Sequence, residues 1–315
     1  MTRTMTTMKT LTATAFALAL FVAPAVASAT PPADHVTLAP QAAQTLRSAV
    51  ASARASDPGA FADVASLVRR TPELDRKARS GKAPVSLALA SMGPRAVMPL
   101  AELAGLEPPS GLTREQVHAA RLPVLEALGM LRDARVAPVL FAWLEQADAD
   151  TTRVAAEAVA RLDTDEAGAR LVSALSRATG ERAVAILAGM GMCHRASVAK
   201  ALADRLGQAP DEATARVVVK SLRRAASPWA WQTLARRDEE GAVRDLASEA
   251  LVGAFVRYEG ETRDAAEKAL AVVDDGRVAR FVQVARSRAA SPKQGALDGL
   301  AARLAARPKD AKLAP

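Results

Sequence analysis

The chain has 315 residues, half of them apolar and only 3% aromatic, with a formal charge of +8 and one cysteine. A single cysteine excludes an internal disulfide, so the fold must rest on packing. Sparse aromatics and abundant alanine argue against a β-sandwich, which draws on Val, Ile, Tyr and Phe, and for closely approaching helices.

No stretch from residue 30 onward alternates apolar and polar side chains between turn signals, so the expected class is all-α. Of the 42 basic residues 33 are arginine, and arginine and alanine use also tracks base composition. The high charge alone therefore does not point to nucleic acid or a membrane surface, since a clustered basic stripe on a recognised reader fold is missing.

Met1 to Ala29 reads as a secretory signal peptide. Arg3 and Lys9 form a basic start, an apolar run extends from Leu11 to Val22, and Ala27-Ser28-Ala29 offers small residues for cleavage. The run is shorter than the roughly 20 residues that span a bilayer, and no cysteine follows it to carry a lipid. The expectation is an exported protein, periplasmic or extracellular, with no membrane span after cleavage.

Residues 30–80 read as a leader, Thr30 to His35, followed by a helical cap. Pro-led helices are expected from Pro40 to Ala55 and from Pro58 to Arg70. From residue 81 to 273 a repeat array is expected. Val85 to Met92 looks like the end of one second helix, and Gly93 to Leu100 like the next first helix. Glu107-Pro108-Pro109-Ser110-Gly111 is a loop by composition.

The clearest part of the array runs from Arg135 to Leu251. Leucines at 140, 171, 202 and 234 recur at intervals of 31, 31 and 32 residues, one in the first helix of each unit. Around the first, Val136, Val139, Leu140, Trp143 and Leu144 draw one apolar stripe at helical spacing. A second helix follows each, with an arginine near its start: Arg153, Arg182, Arg216 and Arg244. Two such helices cannot bury both stripes between themselves, so units must stack, and a fixed period in this range predicts a solenoid.

The helix Val243-Arg244-Asp245-Leu246-Ala247-Ser248-Glu249-Ala250-Leu251 resembles the second helix of HEAT repeats, and Thr152-Arg153-Val154-Ala155-Ala156 is a looser copy. The short period is similar to the HEAT-like variety found in phycobilisome lyases. The resemblance implies an α-solenoid of stacked antiparallel helix pairs and scaffold or adaptor work. It also implies that Asp148 with Arg153, and Asp211 with Arg216, tie a turn to its second helix.

Beyond Leu251, Thr262 to Leu270 forms another arginine-and-alanine helix only 19 residues after the previous one. Either a first helix is lost there or a long Gly241 to Arg257 helix takes its place. Residues 274–315 are expected to hold capping helices, Gly276 to Ala289 and Gln294 to Ala306, and a frayed tail from Pro308.

Candidate chemistry is sparse. His35, His118 and His194 stand apart, and no Cys or His pairing has zinc-ligand spacing, so neither metal nor cofactor is expected. Cys193-His194 is the sole adjacency resembling a nucleophile and base, but an orienting third group is missing and a structural cysteine is expected. In Ser227-Pro228-Trp229-Ala230-Trp231, Trp231 should be core and Trp229 available to a partner. Arg223-Arg224 and Arg236-Arg237 flank that helix in sequence, and with Trp229 they form the candidate partner-binding set.

The leading expectation is a non-enzymatic scaffold binding a partner protein or peptide along its curved second-helix face. The alternatives are a lyase-associated enzyme or subunit built on Cys193-His194, and a binder of an anionic cell-envelope polymer.

Overall fold

The computed structural model describes residues 36–78, 85–107, 109, 111–274 and 276–306, with backbone only for 75–78. The expected signal peptide, the leader before Val36, the array start at residue 81 and the tail from Pro308 lie outside the described residues.

Helix starts follow from short polar side chains placed where the first backbone N–H groups lack partners. Asp57 accepts from Ala60 N–H at 3.0 Å, Asp148 from Thr151 at 2.8 Å and Asp211 from Thr214 at 2.9 Å. Thr113 and Gln116 form a reciprocal capping box.

The helices are α1 (Pro40–Ser56), α2 (Pro58–Arg69), α3 (Thr71–Ala78), α4 (Val85–Ser91), α5 (Val97–Gly105) and α6 (Arg114–Leu131). Then come α7 (Ala137–Gln146), α8 (Ala149–Leu162), α9 (Asp165–Arg177), α10 (Gly180–Met190), α11 (Ala196–Gly207) and α12 (Glu212–Ala225). The rest are α13 (Pro228–Gln232), α14 (Glu240–Arg257), α15 (Gly260–Val273), α16 (Val278–Arg288) and α17 (Ser291–Ala305). No strand occurs among the described residues.

Consecutive helices pack as pairs: α5 with α6, α7 with α8, α9 with α10, α11 with α12, α14 with α15 and α16 with α17. First members touch in series, α5 to α7, α7 to α9, α9 to α11, α11 to α14 and α14 to α16. Second members do likewise, α6 to α8, α8 to α10, α10 to α12 and α12 to α15. One apolar cluster runs from Val36 to Leu300 through these contacts, and Leu140, Leu171 and Leu202 are all fully buried in it.

Several details differ from the sequence expectations. The fourth marker leucine, Leu234, is not helical: α13 stops at Gln232, and Leu234 is half-buried against a small separate cluster with Trp231 and Val243. The cause is local, because Trp231 Nε1 donates to the Ala225 carbonyl at 3.0 Å and folds the segment back onto the end of α12. With α13 outside both series, α14 takes the first-member place beside α11, which agrees with the expected alternative of a long Gly241 to Arg257 helix standing in for a first helix. The helix that most resembles a HEAT second helix thus packs as a first one, and α15 is its partner.

The expected aspartate–arginine ties also have other partners. Asp148 pairs with Arg121 of α6 at 3.4 Å, while Arg153 is exposed; Arg216 pairs with Glu261 of α15 at 3.3 Å and Glu212 at 3.7 Å. Each aspartate is already committed to capping its own helix, which aims its carboxylate away from the arginine five residues on. Finally, α3 was not anticipated.

Helix ends are satisfied between pairs. Trp143 Nε1 of α7 donates to Ala104 O at the end of α5 at 2.8 Å. Arg182 of α10 donates to the carbonyls of Leu144 and Ala147 at the end of α7. Arg257 of α14 donates to Leu206 O and Gly207 O at the end of α11, at 2.8 and 3.1 Å. These groups supply donors that the last turn of a helix lacks, and the two guanidiniums also sit favourably at its negative end.

Second members approach at backbone distance. A Cβ on Gly189 of α10 would lie 2.5 Å from Ala156 Cβ and 2.6 Å from Glu157 N of α8. Helix propensity alone favours alanine over glycine by roughly 1 kcal/mol, but a contact that short requires two backbones to separate. Gly189→Ala should therefore lower the thermal midpoint, and a raised midpoint would show that the contact relaxes freely. Leu202→Ala, in the middle of the buried series, should cost about 2–5 kcal/mol, whereas the half-exposed Arg223→Ala should stay within about 0.5 kcal/mol of wild type in denaturant titration.

Candidate functional site

The loop between α10 and α11 carries Cys193, His194 and Arg195, all buried. It is fixed by three acids, two from the α8–α9 turn and one from the run before α14. Asp163, in a left-handed conformation (φ 54°) at the end of α8, accepts from the His194 backbone N–H at 2.8 Å, with His194 Nδ1 at 3.7 Å from the same oxygen. Arg195 pairs with Asp165 at the start of α9 and with Glu239 at 2.9 Å, and Glu239 also caps α11 by accepting from Ala196 N–H at 2.6 Å. The His194 ring meets Trp231 edge-on, centroids 5.2 Å apart.

This environment works against nucleophilic chemistry. Burial pushes the Cys193 thiol up to about 12, and the charges of Asp163 and Glu239 push the same way, despite a backbone hydrogen bond from Arg195. A reactive cysteine needs the reverse, an exposed thiolate beside positive charge. Burial also disfavours a charged Asp163, but the nearby His194 ring, the hydrogen bond from the His194 backbone N–H and the charge of Arg195 outweigh it and hold that carboxyl below the usual carboxylate range. Cys193-His194 is thus built as a joint between helices.

The two indoles of α13 divide sharply. Trp231 is 1% exposed and hydrogen-bonded, whereas Trp229 is 61% exposed. Of the flanking arginines, Arg236 pairs with Asp238 at 3.1 Å and Arg237 with Glu240 at 2.7 Å, both in the segment leading into α14. Arg223 and Arg224 lie on α12, half-buried, and Arg224 reaches Glu157 of α8 at 3.8 Å. The two arginine pairs therefore face different partners. Arg244 is buried between Glu240 and the Val273 carbonyl, each at 3.1 Å, a structural role.

The sequence reading missed the side chains gathered around Arg224. Glu157 also binds Arg161 at 2.7 Å, and Lys220 is exposed one turn before Arg224. The available signal was the run Arg216, Lys220, Arg223, Arg224, four cations at i, i+4, i+7 and i+8 on one helix.

A cavity lined by Val68, Leu103, Val117, Arg121 and Trp143 measures about 10 Å³, room for a single water. Among the described residues no group of three or more His, Cys, Asp or Glu is placed to hold a metal ion, and no helix is long and apolar enough to cross a membrane. Searches of protein-family models and of curated proteins find no match to this chain.

Cys193 should resist a thiol reagent such as 5,5′-dithiobis-(2-nitrobenzoate) in the folded protein and react fully once denaturant unfolds it. Rapid labelling under native conditions would contradict the burial described here.

Proposed function

We propose that the paired helices stack as a HEAT-like α-solenoid and that the chain is a non-enzymatic scaffold, exported through the signal peptide read in Met1 to Ala29. In this reading it holds a partner protein or peptide, with the curved, concave face of the second helices and the α13 segment as its contact surfaces. Support for the stacking comes from the two contact series, the unbroken apolar cluster and the arginine and tryptophan donors that pass from one pair to the preceding one. Support for a scaffold over an enzyme comes from the buried, proton-holding thiol at the one nominated nucleophile.

The observation that carries partner binding is Trp229. Its neighbour Trp231 is buried and hydrogen-bonded, so α13 is held in place while it presents a 61% exposed indole to solvent. A large ring on a rigid mount loses little entropy when covered, and tryptophan is enriched among the residues that dominate interface energies. Arg236 and Arg237, each already oriented by an acidic neighbour, supply the polar rim such an anchor needs.

The test is retention of a partner from the exporting cell's envelope fraction on immobilised full-length chain. Trp229→Ala should weaken retention by about 2 kcal/mol, about thirtyfold, with an unchanged thermal midpoint. Equal retention by both proteins would overturn the assignment of Trp229.

A further inference from the structure

On the solvent side of α10, half-buried small and apolar side chains lie between longer, mostly basic ones from α8 and α12. α10 is clasped on both sides at backbone distance: Gly189 lies against Ala156 and Glu157 of α8, and Gly191, just past the helix, against Ser221 of α12. Ser221 Oγ adds a hydrogen bond to the Leu187 carbonyl at 2.8 Å. Turned away from these contacts are the exposed Glu181 at the start of α10 and then only small or apolar side chains, Val184 and Ala188 on the helix and Met192 just beyond it, these three half-buried.

Longer side chains from the two flanking helices meet across this floor: Arg224 of α12 approaches Glu157 of α8 to 3.8 Å although α10 packs between the two helices. Glu157 is shared, because Arg161 also holds it at 2.7 Å. One carboxylate therefore serves two guanidiniums, of which Arg224 is the more distant and the more exposed, 38% against 21%. Lys220 is exposed on the same face, and among the described residues no acidic side chain pairs with it or with Arg223. The α12 side is thus short of negative charge.

We propose that this surface binds an acidic, amphipathic peptide segment of a partner protein, an inference that rests on the scaffold reading and names the chemistry of its ligand. Apolar side chains of the peptide settle on Val184, Ala188 and Met192, the last an adaptable thioether suited to varied shapes. Carboxylates of the peptide engage Arg224 and Lys220, completing the coordination that Glu157 supplies only in part. From residue 184 to the end of α10 at 190 the floor rises about 9 Å at helical pitch, the length of about three extended residues. Bare polyanions fit less well, since they leave the apolar floor uncovered, and no aromatic side chain lines it to stack on bases.

The test uses full-length chain and three fluorescent octapeptides: alternating Glu and Leu, the same with Lys for Glu, and the same with Gly for Leu. Anisotropy should show binding of the first only, weakened about tenfold or more by Lys220→Glu or Arg224→Glu and by raised salt. Ala188→Arg is the decisive variant, because it adds positive charge while filling the floor. It should abolish peptide binding and leave binding of polyaspartate or heparin no weaker. Equal binding of the Glu and Lys peptides, or tighter Glu–Leu peptide binding by Ala188→Arg, would overturn the proposal, the latter in favour of a general polyanion surface. Circular dichroism confirms that each variant is folded, and Lys220→Glu, on an exposed position, keeps the test valid if Ala188→Arg is not. Absent peptide binding with Trp229-dependent retention intact removes this surface alone, whereas loss of both removes the scaffold reading as well.

Discussion

Every helix ends in carbonyls that its own hydrogen-bond ladder cannot use, and a chain made almost wholly of short helices has many such ends to satisfy. Here the first helices of three pairs have their last carbonyls met by the pair that follows, through Trp143, Arg182 and Arg257. The donor is in each case a long side chain able to cross a helix interface. Its effect is to make each pair's completion depend on its neighbour, in polar groups as well as in apolar surface. The continuous apolar cluster says the same in packing terms, since marker leucines such as Leu171 and Leu202 are fully buried only because adjacent pairs close over them.

Alanine and glycine set how closely that closure can be made. Ala155, Ala156, Ala158 and Ala160 on α8 are buried with almost no accessible surface, and two of them, Ala158 against Gly129 of α6 and Ala156 against Gly189 of α10, sit at distances that no larger side chain permits. Close backbones gain dispersion contacts over a wide area with little side-chain entropy to lose. The scarcity of aromatic residues follows from the same geometry: Trp143 and Trp231 are accommodated where each indole N–H reaches a carbonyl.

Much of this was legible in the chain. Leu140, Leu171 and Leu202 marked real first helices, and the proline-led α1 and α2 begin where their sequence signals stand. Trp231 and Trp229 separated into core and surface as expected from the sequence. What failed was role within a pair. Arg153 and Arg182 occupy similar places in similar helices, yet one is exposed and the other caps a neighbouring helix, a difference set by what lies opposite rather than by local sequence. Leu234 kept the period in number but lost its helix to the Trp231–Ala225 hydrogen bond, and α14 inherited the vacated place. The floor over α10 was invisible for another reason, because one more alanine or valine in an alanine-rich chain carries no signal until its flanking helices are known.

Glu239 deserves a mechanical reading. It lies in the short run between α13 and α14, yet its two oxygens hold Arg195 and the first turn of α11, while Asp163 and Asp165 grip the same loop from the opposite side. The loop at 194–196 is thus tied to the run before α14 by ionic contacts as well as through the covalent path of α12, so the α8–α9 turn, the α10–α11 loop and the α13–α14 run form one laced seam.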